Sequence, residues 1–261
     1  MFDSDDVQGP AQVPSRPIAV QRPTDATGGH AFMGTLLSAS VPVREAAMLA
    51  EILRGNIPPS LTRLVAVPLS AGVHTGTVFV APDYLGIGTD VDFVRTPLNA
   101  ISAQAIADHL GCVLPTTKLV DAIWRAAPRK LPPLPWAPPF DATMLSTARF
   151  IAHSDRITAQ RAGTPLDELV AGDKKDVVLT RAIAAHPGHV AIYGWQLPNG
   201  QPIQPLTTIH AITYADYSHG VRLVLGRMLV DGEEMTLADV LADPTRCALI
   251  SDEPPGPLPR Y

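Results

Sequence analysis

The run from Thr208 to Arg222 holds most of the groups in this chain whose types and spacing could do chemistry. It places His210, Tyr214, Asp216, Tyr217, His219 and Arg222 within a short stretch of an otherwise apolar, sparsely charged sequence. Three chemistries are open to such residues. Asp216 and His219 can form an acid–base pair, with Arg222 and Lys175 holding an anionic or carbonyl-bearing substrate and Tyr193, Trp195 and Tyr214 offering flat surfaces to a sugar or peptide. His210, Asp216 and His219 are two imidazoles and a carboxylate, a donor set that zinc accepts while keeping a position open for water, although the spacing matches no zinc signature and His-Glu-x-x-His is absent. Cys112 can supply a thiolate to His189 or His219, with His210 or Asp216 orienting the imidazole.

Each group also has an ordinary role. Aromatic residues on strands fill cores, Cys112 follows an apolar helix as packed thiols do, Lys174 and Lys175 suit a solvated turn, and His153 with Asp155 reads as a surface pair. The acidic loop of Asp83, Asp90 and Asp92 reads as a turn, since it lacks the calcium-loop spacing and closing glutamate.

One stretch resembles a known family. Gly172-Asp173, then Pro187-Gly188-His189-Val190-Ala191-Ile192-Tyr193, then Asn199-Gly200 and Ile209-His210-Ala211 are similar to the NlpC/P60 family of papain-like cysteine hydrolases, which mostly cut peptide bonds of bacterial cell walls. The resemblance spans about forty residues. It implies His189 as general base, His210 as the orienting polar residue and Cys112 as nucleophile. The family's Asp-Cys-Ser-Gly motif is replaced here by Leu-Gly-Cys112-Val-Leu-Pro. A second likeness, of Ser218-His219-Gly220-Val221-Arg222 to the L,D-transpeptidase signature, lacks that family's nucleophilic cysteine and so its chemistry.

The elements that must position these groups are readable from periodicity. Helices are expected over Val43–Arg54, from Asn99 as cap to Leu110 with Ile101 and Ile106 inward, after Thr116 or Thr117 with Leu119, Val120, Ile123 and Trp124 inward, and from Asp141 to about Gly163. Strands are expected at Leu64–Leu69 and Thr77–Ala81 as a hairpin, then Lys175–Thr180, His189–Leu197, Pro202–Leu206 and Val221–Val230, with a turn at Pro198-Asn199-Gly200. Thr236 caps a short helix to Leu241. The proline-dense stretch from Pro128 to Pro139 is expected to hug the surface in extended form.

This pattern implies one α+β domain over residues 31–250: a helical first half packed on a mostly antiparallel sheet from the second half, papain-like if the resemblance extends to the fold. Residues 1–30 read as an extended arm and 251–261 as a flexible tail.

Composition narrows the function. The 46% of hydrophobic residues supply a core, and a net charge of −5 gives no attraction for nucleic acid. No apolar run approaches the roughly 20 residues that span a bilayer. The start, Met-Phe-Asp-Ser-Asp-Asp, lacks the regions of a signal peptide, and the expectation is an extracytoplasmic protein whose leader has been removed, with a cytosolic one as the alternative. Gly-x-Ser-x-Gly and the nucleotide-cradling glycine motifs are absent. The functional expectation is a hydrolase of a peptide or glycan polymer, plausibly of the bacterial envelope, needing no cofactor. The alternatives are a non-catalytic carbohydrate- or peptide-binding module and a zinc-dependent hydrolase.

Overall fold

The computed structural model describes residues 17–138 and 140–261. Its architecture is α+β, with helices packed about two principal sheets. The larger sheet has six strands and is antiparallel throughout. At its centre lies His74–Val80, which pairs with Val65–Ala71 on one side and with Arg227–Val230 and Val224–Leu225 on the other. Glu233–Thr236 and Cys112–Val113 close the two ends. The hairpin turns at Gly72, whose φ of +58° suits the residue without a Cβ.

The smaller sheet carries the candidate site. Its order is Pro202–Ala211, His189–Gln196, Lys175–Val177 and His219–Gly220, and the last pairing is parallel. Gly220 is forced by a close approach, because a Cβ there would meet the Tyr84 ring at 2.4 Å. The helix Thr117–Ala126 wedges between the sheets. Thr116 caps it by accepting from the Leu119 amide, and its period buries Leu119 and Ile123 in the cluster of the larger sheet and Val120 in the other cluster.

Several expectations are corrected. The second half does not form the sheet alone, since the early hairpin is the heart of the larger one. The helix expected from Asp141 breaks at Ser146 into a 3-10 turn, Ala142–Leu145, and a helix, Thr147–Gln160, because Ser146 leaves helical geometry (ψ 148°) to cap the Arg149 amide. In the Ala100–His109 helix Ile101 is exposed, and Ala103, Ile106 and Ala107 face inward. The strand expected over Val221–Val230 splits at Gly226, where the register against His74–Val80 shifts between the Val224–Val80 and Leu229–Thr77 pairings.

The segment 251–261, expected to be loose, packs on the body: Glu253 accepts from the Thr180 hydroxyl and Arg181 amide, and the Tyr261 hydroxyl donates to the Val178 carbonyl. Of the expected arm, residues 1–16 lie outside the described residues. From Pro17 the chain is tied down by Ile18 donating to the Thr62 carbonyl and by Arg22 donating to Asn56 and the Gly88 carbonyl. No described helix is long and apolar enough to cross a membrane.

Candidate functional site

Sheet register brings the first two groups together. His219 pairs with Lys175 in the parallel ladder and Lys175 with Gly194 in the antiparallel one, so Lys175 and His219 share a face. The turn before His219 is organised by Asp216. Its Oδ1 accepts from the Ser218 amide at 2.8 Å and the Ser218 hydroxyl at 2.5 Å, and its Oδ2 accepts from the Tyr214 hydroxyl at 3.1 Å. The Lys175 ammonium stands 4.0 Å from the same Oδ2. Tyr214 stacks on His210 with centroids 4.1 Å apart and an interplanar angle of 10°, and turns its edge to His219 at 5.6 Å. His210, Tyr214 and Lys175 are partly exposed, whereas His219 is wholly buried beneath them.

Neither ring nitrogen of His219 has a hydrogen-bond partner among the described residues. Burial pushes this imidazole down to about 4 in spite of Asp216, so it is uncharged at neutral pH. Burial would raise the Asp216 carboxyl, but the His219 ring, Lys175 and the Ser218 hydrogen bonds hold it well below the usual carboxylate range.

A second, buried layer adjoins this face. Lys174 donates to the Tyr217 carbonyl at 2.8 Å and lies 3.2 Å from His153 Nδ1. Burial lowers its ammonium to about 7, against the opposing pull of Asp173, and burial with Lys174 lowers His153 as well. Trp136, from the proline-dense segment, covers His153 and Tyr217, with the guanidinium groups of Arg149 and Arg156 over its ring at 4.4 and 4.6 Å. Trp195 links the layers: it is 6.4 Å from His153, and Lys175 Nζ stands 5.2 Å from its ring. Its φ of +58° is a left-handed conformation rarely adopted by a bulky residue.

Deeper still, Asp83 binds Arg95 and Arg161, each at 2.6 Å, and Asp176 accepts from the Tyr84 hydroxyl at 2.8 Å. Both oxygens of the fully buried Asp173 lack a partner among the described residues, and burial with the nearby Asp83 raises its carboxyl.

Of the residues singled out from sequence, His210, Tyr214, Asp216, His219, Lys175 and Trp195 meet. The others do not join them. Arg222 is a buried strut, donating to the Ala81 and Val170 carbonyls at 2.9 Å and lying over the Tyr84 ring, so it cannot reach a ligand on the Lys175 face. Tyr193 points to the reverse face and donates to Asp121 at 3.0 Å. His189 begins the second strand of the small sheet, and its ring lies 3.3 Å from the Pro187 carbonyl and 6.4 Å from the His186 ring. Cys112 lies in the larger sheet with Sγ 3.6 Å from the Leu110 carbonyl, and burial pushes its thiol up to about 12. A thiolate–imidazole pair between Cys112 and His189 or His219 is therefore not formed. The donors a zinc site would take from Asp216 are spent on Ser218 and Tyr214, and among the described residues no three His, Cys, Asp or Glu side chains converge as metal ligands.

His153, Lys174, Asp173 and Asp83 were not found as site residues by sequence. His153 and Asp155 do not form a surface pair: His153 is buried, while Asp155 is exposed and bound to His30 at 2.8 Å. A signal existed, since His153 stands three residues after Phe150 and four before Ile157, on the helix's apolar stripe. The three aspartates of the acidic loop go separate ways, Asp83 inward, Asp90 to the Ser60 amide and Asp92 to His30. Compared with known protein families, curated proteins and solved structures, the chain shows no match.

Proposed function

We propose that the chain is a recognition module that binds a glycan segment on the face formed by His210, Tyr214, Lys175 and Asp216. The observation that supports it is the partly exposed His210–Tyr214 stack beside the Lys175–Asp216 pair. A sugar ring lays its apolar C–H face on a flat ring and turns its hydroxyls to neighbouring donors and acceptors, and this face supplies both. Calorimetric titration with soluble oligosaccharides, bacterial-envelope fragments included, tests it. Saturable binding that weakens about tenfold or more in Tyr214→Ala and Lys175→Ala is the expected result. A wild-type protein that binds none of the panel ends the reading.

A second reading, hydrolysis of a peptide-type acyl bond, is favoured by one observation: the two nitrogens of the neutral His219, without a hydrogen-bond partner among the described residues, next to Asp216. An uncharged imidazole is a competent general base once a substrate displaces the Tyr214 edge that covers it. Glycosidic cleavage fits less well, because it calls for a second, protonated carboxyl facing the first, and Asp176, raised to about 7 by burial, lies on the reverse face. The two readings give Tyr214→Ala opposite signs. Binding weakens if Tyr214 is the shelf, whereas product release from peptide substrates quickens, and is lost in His219→Gln, if Tyr214 is a cover.

A further inference from the structure

We propose that a separate cavity of about 620 Å³, lined by Cys112 and by none of the residues of the His219 cluster, binds a neutral aliphatic ligand. The volume falls within the range of small-molecule sites. Its walls are aliphatic, with Leu119, Leu179, Leu241 and Leu258 drawn from four different parts of the chain. Cys112 adds a thiol that burial keeps protonated, so it enters the wall as an uncharged group.

The polar groups of the cavity select the head group. Asp108 and Arg260, both about half exposed, line its solvent-facing edge and are joined as an ion pair, and Gln104 donates to the same Asp108 oxygen at 3.0 Å. The cation and the carboxylate already neutralise each other. A ligand carboxylate would face Asp108 and a ligand ammonium would face Arg260, each without a free counter-charge, while a hydroxyl can accept from one and donate to the other. The outer wall is a strap. Gly256 donates to the Leu241 carbonyl and Tyr261 to the Val178 carbonyl at 2.7 Å, and between these ties Pro257, Leu258 and Arg260 close over the cavity. The ligand class is thus an alkyl chain ending in an alcohol or a similarly neutral donor–acceptor head.

The test uses the full chain and the neutral dye Nile red, displaced by decanol, decanoate or decyltrimethylammonium below their aggregation concentrations. Saturable dye fluorescence is expected, with decanol displacing it about tenfold or more better than either ion. Leu241→Trp and Ala238→Trp, on the partly exposed helix that lines the cavity, are expected to abolish dye binding while the melting temperature is kept. No saturable binding in the wild type, equal displacement by all three amphiphiles, or undiminished binding in both folded variants would each overturn the proposal.

Discussion

His219 is neutral because burial outweighs an adjacent carboxylate, and that balance has a measurable sign. Its folded value of about 4 lies below the ordinary histidine value of 6.5, so between those pH values the unfolded chain binds the extra proton. The associated stability is complete above pH 6.5 and is lost as pH falls toward 4. Asp176, raised to about 7, acts with the opposite sign in the same window, so the wild-type profile alone does not isolate the histidine. The comparison with His219→Gln does. From pH 7 to pH 4 the wild type is expected to lose up to about 3 kcal/mol relative to the variant, read from urea midpoints at each pH. A constant difference between the two proteins would show that His219 does not titrate as its surroundings dictate.

Among the elements, the helix Thr147–Gln160 has the clearest dependence on one side chain. Ser146 accepts from the Arg149 amide and stops the preceding 3-10 turn, which sets the rotation that sends Phe150, His153 and Ile157 inward. Ser146→Ala is expected to cost about 1 kcal/mol in chemical denaturation, and to red-shift the fluorescence of Trp136, which leans on His153 from outside. The caps at Asn99, Thr116 and Thr236 were legible because a cap is a local contract between one side chain and an amide three residues on. The convergence of His210, Tyr214, Asp216 and His219 was legible for a related reason, all four lying within ten residues. Lys174 and Asp173 were not, because their burial is decided by a parallel pairing with residues 219–220 some forty positions away, which no local pattern encodes. The placement of Cys112 likewise follows from the strand Val224–Leu225 and not from its own neighbours.

Over the whole molecule, the largest commitment is the buried charge network of Asp83 with Arg95 and Arg161. Its carboxylate, which burial alone would raise, is held far below its ordinary range by the two guanidinium groups. Asp83→Asn keeps the shape and removes the charge, leaving two arginines buried without their counter-ion. A loss of about 3–5 kcal/mol is expected in equilibrium unfolding, well above the cost of an exposed ion pair such as Arg54–Asp25. A loss below about 1 kcal/mol would mean that Asp173, nearby and without a hydrogen-bond partner among the described residues, takes over the role.

The short passage from His219 to Leu225 belongs to both sheets, pairing first with Lys175–Asp176 and then with Val80 and Val113. During synthesis, therefore, neither sheet can be finished until this segment leaves the ribosome, and the strands that precede it must wait with open edges. Completion of the two sheets is thereby made a single event that awaits this segment, not a relay of independently folding parts.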